Sequence, residues 1–162
     1  METSSVSAFV AGATGYTGKA VVRRLRALDV RTYAHVRPDS PSLDAHRASF
    51  GALGAEVITP PWANETITEA ISRLAPTHIF CLLGTTAGRA RREKKAGGEG
   101  LMYEAVDYGM TKMVIDAASA LEPLPTLVYL SAMGVGEKRP SNRYMRARWQ
   151  VERALEQSTL PW

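Results

Sequence analysis

Three glycines at positions 12, 15 and 18, set between an apolar run and an amphipathic one in FVAGATGYTGKAVVRRL (residues 9–25), constrain this chain more than any other feature. Upstream, Val6 and residues 8–11 read as a short apolar strand. Downstream, Val21, Val22, Leu25 and Leu28 recur at helical spacing, with Arg23, Arg24 and Arg26 on the other face. A strand, a glycine turn and a helix aim backbone N–H groups and the positive end of a helix at a phosphate. Two phosphate-binding loops begin in this way. A Walker-type loop needs four residues between its first glycine and Gly-Lys-Ser/Thr. Here five residues separate Gly12 from Gly18, and Lys19 is followed by Ala20, which offers no hydroxyl to magnesium. What fits is Gly12-x-x-Gly15-x-x-Gly18, a dinucleotide loop whose first two glycines stand one residue further apart than in G-x-G-x-x-G. Gly12, Thr14, Gly15, Tyr16, Thr17 and Gly18 are therefore the first candidate cofactor-binding residues.

Strand and helix signals alternate through the rest of the chain. Residues 31–36 read as a second strand broken by Pro38 and Pro41, and residues 56–59 as a third ended by Pro60-Pro61. Residues 64–74 have helical spacing, with Asn64 as N-cap and Ile67, Ala70, Ile71 and Leu74 on the inner face. Residues 77–83 are a nearly all-apolar fourth strand, as a parallel sheet covered on both faces requires. A long helix carrying Val106, Met110, Val114, Ala117 and Leu121 on one stripe follows, then a fifth strand at 126–130 and a last helix at 141–157. This alternation predicts an α/β fold, a doubly wound parallel sheet of Rossmann type with helices on both faces, and the right-handed crossover rule predicts the strand order 3-2-1-4-5.

Length and composition exclude several other classes. The 162 residues suit one domain with a real core, and 45% apolar against 22% charged residues is a globular balance. No apolar stretch approaches the roughly 18 residues of a membrane span. The first five residues lack a signal peptide's basic and apolar regions, and Cys81 is the single cysteine, so the expected location is cytoplasmic, with no membrane partner. The net charge of +4 raises the question of nucleic acid, but much of it sits in Arg89-Ala90-Arg91-Arg92-Glu93-Lys94-Lys95, between Gly88 and Gly97. That run reads first as a solvated mobile loop, with closure over a phosphorylated cofactor or anionic substrate as the sharper alternative. No helix-turn-helix, zinc or stacking motif accompanies it, so no nucleic-acid partner is expected.

Ligands of such sheets sit outside the carboxyl ends of the strands. An NAD enzyme normally places Asp or Glu at the end of the second strand, for the ribose 2′-hydroxyl. This chain has His35-Val36-Arg37-Pro38-Asp39, and Arg37 can pair bidentately with a 2′-phosphate. NADP is the expected cofactor and NAD the second choice. The fourth strand ends in Leu83-Gly84-Thr85-Thr86, where glycine lets backbone approach a ribose or nicotinamide and threonine can bond it, so Leu83, Gly84 and Thr85 join the cofactor set. Cys81, apolar-flanked in mid-strand, reads as a buried structural thiol. The fifth strand runs into Ser131, and thirteen residues on come Tyr144 and Arg148, four apart and so on one helical face that Val151 and Leu155 continue toward the core. A phenol of pKa about 10 becomes a usable acid–base when positive charge stabilises its phenolate, and a serine hydroxyl can polarise the same carbonyl. Ser131, Tyr144 and Arg148 are the candidate catalytic residues, and no metal ligands stand out.

Gly12-Ala13-Thr14-Gly15-Tyr16-Thr17-Gly18, Leu83-Gly84-Thr85-Thr86, Leu130-Ser131-Ala132-Met133-Gly134 and Tyr144-x-x-x-Arg148-x-x-Val151-Glu152-x-x-Leu155 together resemble the atypical short-chain dehydrogenase/reductases. Within them, Gly84-Thr85-Thr86, residues 96–100 and Val106-Asp107 are most similar to the NmrA-like and Tat-interacting-protein-like branch. The resemblance implies a Rossmann fold binding NADP or NAD, with reductase activity in some members and redox-sensing or regulatory roles in others. Tyr144 then matches the family's catalytic tyrosine and Ser131 its serine. Three departures stand out. Arg148 occupies the place of the family's lysine, keeping charge and donors but changing reach. The acid that holds adenine after the third strand is replaced by Pro61-Trp62. Finally, the chain stops at Trp162, where relatives begin a sixth strand and then add substrate-binding elements. The expectation is one NAD(P)-binding domain over residues 1–162, truncated before strand six, as a fragment or a natural short form. An apolar fifth strand left at the sheet edge, with Leu160-Pro161-Trp162 exposed beside it, predicts self-association as a homodimer.

The functions that remain are an NADP-dependent oxidoreductase for a small carbonyl or quinone, an NADPH-sensing regulatory protein, and a sugar-nucleotide epimerase-like enzyme.

Overall fold

A computed structural model describes residues 6–98 and 102–162; expectations that fall on residues 1–5 and 99–101 lie outside them. The strands are β1 (Ser7–Ala11), β2 (Arg31–His35), β3 (Glu56–Ile58), β4 (His78–Cys81) and β5 (Thr126–Tyr129). All pair in parallel in the order β3-β2-β1-β4-β5, with Phe9 in register with Tyr33 on one side and Ile79 on the other. The predicted topology is the observed one. β1 is buried at every residue because it is central and covered on both faces, which is why its sequence is a plain apolar run.

Alternation along the strands divides the core in two. Phe9, Ala11, Tyr33, Ile79 and Cys81 face Ile67 and Ile71 of α3 (Asn64–Leu74), Val114 and Ile115 of α5 (Thr111–Ser119), and Val151 and Leu155 of α6 (Arg143–Glu156). Val10, Ala34 and Val36 face the opposite way, onto Val22 of α1 (Tyr16–Ala27) and Phe50 of α2 (Leu43–Ala52). Helices thus cover both faces. The strand order reverses between β1 and β4, which is where a doubly wound sheet opens a crevice.

Several local features differ from the sequence expectation. Helix α2 follows Pro41 where only a break was expected. Ala63 caps α3, without a side-chain bond, and Asn64 is its first helical residue. The charged run is a helix, α4 (Ala87–Lys95), rather than a loop: Thr86 caps it by accepting from the Arg89 N–H (3.2 Å), and its Ala, Arg, Lys and Glu are good helix formers. The predicted long helix is a π-helical segment (Tyr103–Met110) running straight into α5. Leu28 ends α1 exposed, while Arg26 is tied down by the carbonyls of Val30 and Leu53. At the sheet edge the Leu127 N–H donates to the Pro161 carbonyl (2.8 Å) and Leu160 is buried, so the last residues cover part of β5; Trp162 remains exposed. Among the described residues no helix is long and apolar enough to cross a membrane.

Candidate nucleotide site

The glycine loop sits in the crevice between β1 and β4, and its three glycines serve different ends. Gly12 has φ +84°, and a Cβ there would stand 2.7 Å from the Leu82 carbonyl oxygen. A Cβ on Gly18 would collide with the Gly12 carbonyl oxygen and lie 2.7 Å from Ala13 Cα. These two let β1, α1 and β4 approach one another. Gly15 is different. Its backbone is extended (φ −72°, ψ 170°), and a Cβ there would meet only the Gly12 carbonyl oxygen, at 3.4 Å. The protein itself has no steric need for glycine at 15; the space its missing side chain leaves belongs to the cavities it lines. Helix α1 begins with neither a side-chain cap nor an acid in its first turn, which leaves its first N–H groups available to an anion. This is the cradle a pyrophosphate requires, so the residues present fit a dinucleotide.

Two cavities meet at this loop and share Gly15, Leu82, Leu83 and Gly84 as lining. The first, of about 230 Å³, runs from Gly12 and Thr14 to the end of β2, where it meets His35, Arg37 and Ser40, with Trp62 beside them. Arg37 is half exposed and its Nη1 lies 3.2 Å from Asp39 Oδ2, a weak solvent-facing pair. The rings of His35 and Trp62 are 4.5 Å apart between centroids. His35 Nε2 lies 2.9 Å from the Pro60 carbonyl, which can only accept, so that nitrogen carries the proton. Burial holds the imidazole below its ordinary value; the Pro60 bond opposes this and the charge of Arg37 adds to it.

The second cavity, of about 640 Å³, takes in Tyr16, Thr17 and Gly18 of the loop and Thr85 after β4, and ends against Tyr103, Asn142, Tyr144, Met145 and Arg148. Tyr16 and Met133, at 96% and 99% exposure, stand in solvent. Tyr144 packs edge-on against Tyr103, with centroids 5.6 Å apart. Arg148 is 5% exposed at its side chain, and its guanidinium carbon lies 5.3 Å from the Tyr144 ring centroid. Both of its terminal nitrogens are engaged, while the buried Nε has no partner among the described residues. Nη1 donates to the Leu83 carbonyl (3.1 Å), the Leu130 carbonyl (2.9 Å) and the Tyr129 hydroxyl (3.2 Å), and Nη2 lies 3.0 Å from Asp107 Oδ1. Arg148 thus ties the ends of β4 and β5 to the π-helical segment. Gly84 makes room for it, since a Cβ there would stand 2.7 Å from Nη2. Burial pushes the Asp107 carboxyl above its usual range, and Arg148 offsets part of that rise. Burial also pushes the Tyr129 phenol up to about 12.

Ser131 is turned elsewhere. Its hydroxyl donates to Glu152 Oε1 at 2.5 Å, and it lines neither cavity. Thr14, Arg37, Leu83, Gly84, Thr85, Tyr144 and Arg148 are thus brought to the crevice, and Ser131 lines neither of its cavities. The sequence alone assigns no site role to His35, Tyr103, Asp107, Asn142 or Glu152, although His35, Asp107 and Glu152 stand inside the motifs quoted from it; Arg148 and Glu152 also share an i, i+4 spacing on one helix. Cys81 is buried, and its thiol is pushed up to about 12 by that burial. Among the described residues no cluster of His, Cys, Asp or Glu could hold a metal ion.

A parallel α/β sheet with a glycine cradle at its switch point defines a nucleotide-binding domain of Rossmann type. Residues 12–162 match the family described as NAD(P)H-binding, and the chain belongs to that family. A search of curated proteins returns no match. Solved structures with the same fold include the UDP-Glc/GlcNAc 4-epimerase of Campylobacter jejuni (13% identity, TM-score 0.75, 93% of this chain and 48% of that one). A structure from work on pinoresinol-lariciresinol and phenylcoumaran benzylic ether reductases is similar over 96% of this chain and 47% of that one (16% identity, TM-score 0.69). So is Pen from Bacillus thuringiensis, over 94% and 44% (16% identity, TM-score 0.68). The chain therefore spans about half the length of these proteins.

Proposed function

We propose that the chain binds NADPH and reduces a small uncharged carbonyl or quinone, with Tyr144 as proton donor, in the manner of an atypical short-chain dehydrogenase/reductase. The observation that carries this reading is the continuity of the two cavities through Gly15 and Leu82–Gly84, with Arg37 at one end and Tyr144 at the other. The glycine loop would hold the pyrophosphate of a dinucleotide lying along them, Arg37 its adenosine 2′-phosphate, and the His35–Trp62 wall its adenine, an aromatic face in place of the family's acid. When bound, the nicotinamide supplies hydride.

The chain's own residues do the rest. Tyr144 gives its hydroxyl proton to the carbonyl oxygen. Ser131 has one hydroxyl hydrogen, and while that is donated to Glu152 it cannot polarise the same carbonyl. Leu82, Leu83, Leu130, Met145 and Tyr103 give the second cavity an apolar wall, and its one charged group, Arg148, is already paired. That lining favours a flat uncharged substrate over a sugar nucleotide. The reductases among the similar structures favour reduction, while the 4-epimerase keeps epimerase-like chemistry as the competing outcome.

A specific observation favours a second reading, a non-catalytic NADPH sensor. Arg148, in the place of the lysine that bonds ribose in the family, is sequestered by Asp107 and three oxygens, so the phenol of Tyr144 faces a neutral ion pair rather than a lone cation. The test is NADPH consumption across a panel of carbonyls and quinones. Tyr144→Phe is expected to lower turnover about 100-fold while NADPH affinity stays within about twofold. Full turnover in Tyr144→Phe overturns the proton-donor role, and tight NADPH binding with no consumption by the unmutated protein supports the sensor.

A further inference from the structure

Helix α4 carries five basic residues, Arg89, Arg91, Arg92, Lys94 and Lys95, and of these Arg89 is the one that lines either of the two cavities among the described residues. It lines the first one, together with Gly12, Thr14 and Gly15 of the loop and with Arg37. The sheet order puts the two arginines on opposite sides of that loop. Arg37 follows β2, α4 follows β4, and β1, which feeds the loop, lies between them. The Arg89 N–H is fixed by the Thr86 hydroxyl at the start of the helix, and among the described residues its guanidinium has no carboxylate within ion-pair distance.

The glycine loop offers a pyrophosphate only neutral donors, and Arg37 is placed for the far, ribose end of the cavity. A bound pyrophosphate brings two negative charges to a loop without a cation of its own. From this geometry we infer that Arg89 is a second phosphate ligand, closing on the pyrophosphate from α4 opposite the glycine loop, so that the charged helix is part of the cofactor site. The inference rests on NAD(P)H binding but not on the NADP preference or on catalysis. Arg37 selects the 2′-phosphate; Arg89 holds what NADPH, NADH and ADP-ribose have in common.

The test is titration of the full chain with NADPH, NADH and ADP-ribose, comparing Arg89→Ala, Arg37→Ala and Arg91→Ala with the unmutated protein. All three variants replace exposed side chains, and unchanged far-ultraviolet circular dichroism verifies the fold. Arg89→Ala is expected to raise Kd about tenfold for all three ligands, while Arg91→Ala leaves each within about twofold. Three results overturn the inference: Kd unchanged in Arg89→Ala, a loss confined to NADPH (which would place Arg89 at the 2′-phosphate), or an equal loss in Arg91→Ala (which would make the effect the general field of the helix). Arg37→Ala reports separately on cofactor choice, so a failure of the NADP reading leaves the Arg89 result interpretable.

Discussion

Removing the carboxylate of Asp107 tests the buried centre of the site. Asp107 is fully buried and Arg148 is 5% exposed, with 3.0 Å between Oδ1 and Nη2. Asp107→Ala leaves a guanidinium that cannot neutralise itself by losing a proton and that stays buried, tied to two carbonyls and a phenol. Breaking one side of such a pair costs about 3–5 kcal/mol. That is a large share of the roughly 5–15 kcal/mol by which domains are stable. At about 2–4 °C per kcal/mol for a chain of this size, Tm should fall by roughly 6–20 °C. The assay is thermal and urea unfolding without cofactor, alongside Asp107→Leu/Arg148→Met, in which neither charge remains. The double variant should recover most of the loss, because replacing both partners by apolar groups is often neutral. If Asp107→Ala melts within about 2 °C of the unmutated protein, or the double variant melts lower still, Arg148 is not held as an ion-paired strut and this reading of the site fails.

Other perturbations separate structure from binding. Gly15→Val should fold with nearly unchanged Tm yet lose NADPH and NADH titration, because only the ligand's space is filled; Gly18→Ala should lower Tm, because its Cβ meets the Gly12 and Ala13 backbone. A Gly15→Val protein that titrates normally would place the phosphates elsewhere. His35 predicts a pH dependence. Its folded pKa lies below the unfolded value of about 6.5, first because of burial. Stability is therefore complete above about pH 6.5 and is lost as pH falls from there through the folded value, since the unfolded chain takes the proton more readily. Denaturant midpoints between pH 7.5 and 5 should fall less in His35→Phe than in the unmutated protein; equal slopes would contradict this.

The parts of the fold that were legible in the sequence are those whose burial writes a pattern. β1 and β4 are apolar because both faces are covered, and Ile67, Ala70 and Ile71 repeat at helical spacing because one face of α3 is buried. Helix α2 leaves no such pattern, because Phe50 is its one buried residue, too little for a stripe. Helix α4 buries no residue, and its sequence reads equally as a loop, since charge pattern alone does not separate a solvated helix from a coil. At the site, the glycine spacing and the Tyr144–Arg148 interval were visible, being local. The pairing of Arg148 with Asp107, forty-one positions earlier, and of Ser131 with Glu152 depends on how β5, α6 and the π-helical segment meet, and no spacing announces that.

The proposed site holds a dinucleotide from Arg37 to Tyr144, with its 2′-phosphate at Arg37. The most direct measurement is the affinity of the unmutated chain for NADPH and NADH by cofactor fluorescence or calorimetry, repeated with Arg37→Ala. NADPH should bind at least about tenfold tighter, roughly 1.4 kcal/mol, with Arg37→Ala closing that gap while NADH affinity barely moves. Equal affinities in the unmutated protein, or a gap that survives Arg37→Ala, would contradict it.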